Sequence, residues 1–217
     1  DSERRSILEL NSGLEKIRTL STQGCFTRPD ALCVDDNGRI FLTDLYDHTI
    51  GRLDDMEDPK KRELFFGKEK QSLDHPSGIF VNSNGRIYVA DTFNQRIVRM
   101  DDLQGKNWTE LSVSKNNVSP VDVSIDSGGR LYILDGDGGR VIRVNNMAGN
   151  GWTDFGKEGY TKNQFYHPSA IFLDSHDRIF VADTGNRRIV RIDDLSGKGW
   201  ITLGETHVPQ IWLYPQN

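Results

Sequence analysis

Apolar residues along this chain gather in short runs cut by turn residues. Between 170 and 204 the runs read AIFLD (170–174), RIFVAD (178–183), RIVRID (188–193) and GWITLG (199–204), and the breaks read SHD, TGN and DLSGK. Asp, Asn and Gly suit such breaks because they tolerate positive φ or bond a nearby backbone N–H. Short runs with this punctuation predict β-strands, and a helical period is not sustained over ten residues in these units.

The pattern recurs. VADTFNQRIVRMDDLQGKNW at 89–108 is spelled again as VADTGNRRIVRIDDLSGKGW at 181–200, and 38–56 and 129–147 share the frame. The aspartates that end the second run, Asp44, Asp91, Asp135 and Asp183, are 47, 44 and 48 residues apart. Pro29, Pro76, Pro120 and Pro168 keep the same intervals, and Trp108, Trp152 and Trp200 are 44 and 48 apart. Tandem units of about 45 residues with four strands each predict an all-β fold, a β-propeller of four-stranded antiparallel blades. A single blade buries only one face at a time, so the units must stack. The expected blades are 24–69, 70–115, 116–161 and 162–204.

The pattern P-x-x-[IV]-x-[VL]-x-x-x-G-R-[IL]-[FY]-[VIL]-x-D-x-x-N-x-R-[IV] resembles the NHL repeat. It is clearest from Pro76 to Ile97 and from Pro168 to Ile189, and it spans 29–204 almost continuously. The first unit departs from it with Thr49 where the others have Arg96, Arg140 and Arg188, and the third has Gly138 in place of the Asn. Outside the four units, SILEL (6–10) and EKIRTL (15–20) fit the third and outer strands of a further blade, and VPQIWLY (208–214) fits an inner strand. Two readings stay open: a composite fifth blade built from both termini (1–23 and 205–217), or part of a six-bladed ring, which the resemblance implies.

Composition narrows the function classes. With 35% hydrophobic and 27% charged residues, the chain reads as a soluble domain without a membrane-spanning run. The compartment stays open, export included, because the sequence does not begin with Met. The net charge of −5 argues against a nucleic-acid partner. Cys25 and Cys33 are too few for a disulfide scaffold and lack zinc-ribbon spacing.

The candidate chemistry divides by whether it repeats. Asp91 with Arg96, Asp135 with Arg140 and Asp183 with Arg188 recur once per blade, which suits a turn lock and not catalysis. Trp108, Trp152 and Trp200 read as packing residues on the outer strand, with Trp212 outside that register. Asp54–Asp55, Asp101–Asp102 and Asp193–Asp194 read as hydrated turn residues, since each pair alone supplies too few oxygens for calcium. The sequons at Asn107 and Asn117 carry no weight without a secretory context.

The histidines do not repeat in every blade. Strand counting places His48, His75, His167 and His207 at one end of the ring, in the loops leading into the inner strands or joining the second and third strands. His176 falls at the opposite end. The resemblance extends to peptidylamidoglycolate lyase, an NHL-like propeller with a central zinc held by three histidines, which would map here onto His75, His167 and His207. His207 is one residue off register, so the expectation is no metal and no cofactor, with zinc at those three residues as the alternative.

The expected role is therefore a noncatalytic recognition module, with a zinc-dependent lyase or hydrolase as the alternative. It would bind a protein segment or another extended ligand on the channel face. On that face strand counting places Arg28, Tyr46, His48, His75 and Phe93 from the first two units. It adds Gln95, Asp137, Tyr166, His167 and Arg187 from the later turns. Aromatic groups beside Arg and His are what interface hot spots use.

Overall fold

A computed structural model describes residues 6–11, 13, 15–22, 26–56, 62–65, 67 and 71–204. A hairpin of β1 (Ser6–Leu10) and β2 (Lys16–Ser21) precedes four antiparallel four-stranded sheets, each a consecutive meander. Blade 1 is β3 (Pro29–Val34), β4 (Ile40–Asp44), β5 (Thr49–Leu53) and β6 (Arg62–Phe65). Blade 2 is β7 (Pro76–Val81), β8 (Ile87–Asp91), β9 (Arg96–Met100) and β10 (Thr109–Ser112). Blade 3 is β11 (Pro120–Ile125), β12 (Leu131–Asp135), β13 (Arg140–Val144) and β14 (Thr153–Gly156). Blade 4 is β15 (Ala170–Leu173), β16 (Ile179–Asp183), β17 (Arg188–Ile192) and β18 (Ile201–Gly204). The helical pieces among the described residues are single 3-10 turns, as the missing 3.6-residue period predicts.

The core lies between blades because each sheet is apolar on both faces. Tyr88, Ala90, Ile97 and Leu111 of blade 2 meet Val123, Ile133, Ile142 and Val144 of blade 3. The next seam repeats this, with Tyr132, Leu134 and Val141 against Ile171, Val181, Val190 and Ile192. Each fully buried aliphatic side chain contributes about 1.5–3 kcal/mol, so the seams hold the stack. Trp108, Trp152 and Trp200 pack at the edges of three successive clusters, which bears out their reading as packing residues. Arg96 and Arg188 lie over the Trp108 and Trp200 rings at 5.6 and 5.4 Å.

The hairpin behaves as the outer half of a preceding blade. Ile7 and Leu20 cover Ile40, Leu42 and Leu53 of blade 1. The inner strands β3, β7, β11 and β15 lie side by side in that order, with no comparable packing between β15 and β3. Blade 4 accordingly has one face in a seam and one face open among the described residues. Ile189 is 47% exposed, whereas Ile50, Ile97 and Val141, at the same place in the repeat, are 0% exposed. The strand expected at 208–214, Trp212 and Cys25 lie outside the described residues. Cys33 is a half-buried free thiol on β3.

Each blade is pinned by one buried carboxylate. Asp183, at the end of β16, accepts the Tyr166 N–H at 2.7 Å, Asn186 Nδ2 at 2.8 Å and Arg188 Nε at 2.7 Å. Arg188 then donates to the carbonyls of Thr161 and Gln164. Asp91 and Asp135 do the same with Arg96 and Arg140, holding the N–H groups of Asp74 and Ser119. Blade 1 has no arginine there. Asp44 instead takes backbone N–H groups from Thr27, Arg28, Tyr46 and Asp47.

Asp122 joins blades 3 and 4. Its Oδ2 accepts the Ile171 N–H at 2.8 Å, and Gly78 lets β7 approach it, since a Cβ there would meet the Asp122 side chain at 2.4 Å. Burial pushes its carboxyl up to about 7, with the Asp30 charge adding to the rise and the Ile171 and Val123 N–H groups opposing it.

Two expected outcomes follow from these carboxylates. Asp183→Ala leaves the Arg188 side chain, 3% exposed, without its counter-charge, and a loss of about 3–5 kcal/mol is expected in urea unfolding. Asp135→Ala should lose less, because Arg140 is 25% exposed and can reach water. For Asp122 the folded pKa lies above the unfolded one, so the native state holds the extra proton between roughly pH 4 and 7. Stability should therefore fall as pH rises through that window, and Asp122→Asn should remove that part of the pH dependence. Parallel pH profiles for the two proteins would count against the buried carboxyl.

Candidate functional site

At one end of the stack, the loop leading into each inner strand is stitched to the turn between its second and third strands. The bonds are Leu45 N to Arg28 O, Phe93 N to Asp74 O, Gly136 N to Ser119 O and Gly185 N to Tyr166 O, at 2.9–3.2 Å. With the carboxylate locks beneath, these loops form the mouth of the groove that the inner strands line. The turn residue before each third strand has positive φ: 54° at His48, 48° at Gln95, 59° at Gly139 and 53° at Arg187. His75 and His167, in the lead-in loops, have φ of 50° and 43°. Such backbone is uncommon for non-glycine residues and is tolerated here because both loops are tied at their bases.

The mouth carries two aromatic clusters. Across the seam of blades 1 and 2, the His75 ring stacks on Phe93 with centroids 3.9 Å apart, and His48 meets His75 edge-on at 4.5 Å. Tyr46 and Phe93 are 67% and 65% exposed. The second cluster is on blade 4, where Tyr166 lies 4.7 Å from Tyr160 and 4.4 Å from His167. Between them, the blade 3 turn is Gly136, Asp137, Gly138 and Gly139, of which Asp137 is exposed. Arg28, Gln95, Asp137 and Arg187 are all exposed at this end.

Hydrogen bonds fix the protons of the first cluster. The His75 backbone N–H donates to His48 Nδ1 at 2.9 Å, so that nitrogen bears a lone pair. His75 Nδ1 lies 2.7 Å from Asp74 Oδ1, where only a donated proton makes the contact favourable. In the neutral ring His75 Nε2 is then the acceptor. Asp74 was not singled out from the sequence, although its place beside His75 in DHP was the available signal. Tyr160 was also missed, because it sits in the irregular loop after β14.

The structure separates two of the three histidines expected as the alternative zinc ligands. His207 lies outside the described residues. His75 and His167 engage separate clusters, and His48, Asp74 and His75 form the only group of three metal-ligating side chains with donor atoms within 4.8 Å among the described residues. Below the mouth, the inner strands line a groove of about 940 Å³. Leu32, Val34 and Phe172 are exposed in it beside Asp30 and Asp122.

A family match falls on residues 73–100, the NHL repeat. Among curated proteins, nothing matches the sequence. Among solved structures, virginiamycin B lyase from Staphylococcus aureus is similar at TM-score 0.65 and 18% identity, covering 96% of this chain and 65% of the lyase. A streptogramin B lyase aligns at TM-score 0.66 and 17% identity, covering 95% of this chain and 64% of the other. A chain of a nidogen/laminin complex aligns at TM-score 0.69 and 20% identity, covering 92% and 72%. The protein thus spans less than two thirds of the two lyase chains, and at these identities the likeness is one of fold. The second unit thus matches the NHL repeat, and the four sheets that share its frame form a β-propeller.

Proposed function

We propose that the channel mouth is a noncatalytic recognition surface for an extended segment of a partner protein. The observation that carries this reading is the cluster of Tyr46, Phe93, His48 and His75, with two largely exposed aromatic rings and one held by stacking. Aromatic side chains in a preset position give contact area at little entropic loss, which is how binding hot spots work. The exposed Arg28 and Arg187 add charged anchors on either side. A similar fold in a nidogen/laminin complex is consistent with a propeller that binds protein.

The Asp74–His75 pair favours a second reading. A histidine oriented by a carboxylate, with its other nitrogen free, is the arrangement of a general base. The similar lyase folds make an elimination or hydrolysis at the mouth the alternative, with or without zinc.

Two measurements separate the readings. Random peptides displayed on phage and selected on the immobilised chain should yield binders that lose about tenfold or more in affinity with Phe93→Ala, as expected for a hot-spot aromatic. Binders that ignore Phe93→Ala and Tyr46→Ala would place recognition elsewhere. Incubation with quinupristin, the compound bound to a similar lyase structure, should leave it intact by chromatography. Turnover that disappears in His75→Ala would replace the recognition reading with the enzymatic one.

A further inference from the structure

We propose that His48, Asp74 and His75 form a binding site for a zinc-type divalent metal ion at the seam of blades 1 and 2. This site shares His75 with the set His75, His167 and His207 but takes its other ligands from the seam, and it does not depend on what the mouth recognises. The first argument is geometric. Tetrahedral zinc with bonds of 2.0–2.1 Å needs ligand atoms about 3.3–3.4 Å apart. His48 Nδ1 and Asp74 Oδ1 are 3.2 Å apart, close to that edge. His75 Nδ1 is 2.7 Å from the same oxygen, so coordination requires that hydrogen bond to open by roughly half an ångström. The side chains are 33–46% exposed, so they have room to move, and a fourth position faces solvent.

The second argument is electrostatic. His48 Nδ1 already accepts the His75 N–H, so no proton lies between that nitrogen and the carboxylate oxygen beside it. The imidazole nitrogen has one in-plane lone pair, so a cation bound there takes the place of the His75 N–H, and the Asp74 carboxylate beside it supplies the opposite charge. Binding displaces the proton between His75 and Asp74, so affinity should fall at acid pH.

The third argument comes from the repeat. At the place of His48 the other blades carry Gln95, Gly139 and Arg187, and at the place of His75 they carry Arg28, Ser119 and His167. The fold is built in those blades without a histidine pair, so the pair is not a requirement of the turn. Two imidazoles and a carboxylate suit Zn²⁺, Co²⁺ or Ni²⁺ better than Ca²⁺ or Mg²⁺.

The test uses the whole chain, stripped with chelator and titrated with ZnCl2 by calorimetry, then with CoCl2 by visible absorption. One Zn²⁺ per chain and a tetrahedral Co²⁺ spectrum are expected, with no response to Mg²⁺ or Ca²⁺. His48→Gln keeps an acceptor for the His75 N–H but not the imidazole ligand, and affinity should drop roughly tenfold to a hundredfold or more. His75→Ala should act likewise, with folding of each variant checked by its thermal transition, while His167→Ala should bind as the parent does. Absence of zinc binding in the parent, or loss in His167→Ala without loss in the folded His48→Gln, would overturn the proposal.

Discussion

The arrangement of every blade rests on a carboxylate that is taken out of water and surrounded with donors. Asp44, Asp91, Asp135 and Asp183 are all 0% exposed. A buried charge is tolerated only when its lone pairs are filled and a counter-charge or several N–H groups stand close. Meeting that condition ties three things together: the end of the second strand, the start of the third, and the loop leading into the inner strand. Blade 1 shows that the constraint is on the aspartate and not on its partner. Without an arginine, Asp44 gathers four backbone N–H groups instead.

This lock converts a stack of sheets into a scaffold with a defined end. The seams are ordinary apolar packing and set no direction by themselves. The aspartates hold the loops at one end flat against their own blades, which is why the turn residues there accept positive φ. A smaller lock at the opposite end joins the first and second strands. Arg39, Arg130 and Arg178 reach back to Asp35, Asp126 and Asp174. The Arg178 guanidinium holds the Asp174 carboxyl down at about 2.

The proposed function rests on positions where the repeat is broken. Residues that recur in frame, such as Arg96, Arg140 and Arg188, maintain the blade. Residues that differ from blade to blade at the mouth are free of that duty. His48, His75 and Phe93 gather at one seam, and Tyr160, Tyr166 and His167 at blade 4. The two clusters are separated by a glycine-rich turn, the spacing on which the proposed extended ligand rests.

The sequence alone determined the all-β class, the four four-stranded blades and the Asp–Arg pairs, because a tandem repeat prints each strand and turn four times in one frame. It also identified the end of the stack that carries His48, His75 and His167, since strand counting alternates loops between the two ends. It did not separate His75 from His167, which look equivalent in HPSG and HPSA. Only the tertiary structure decided that His75 joins His48, Asp74 and Phe93 while His167 joins Tyr166. Those partners come from different blades or from an irregular loop, and their proximity depends on how one sheet is rotated against the next. The raised carboxyl of Asp122 was hidden for the same reason. In sequence it is one Asp in a strand, and only the approach of β7 and β15 shields it from water.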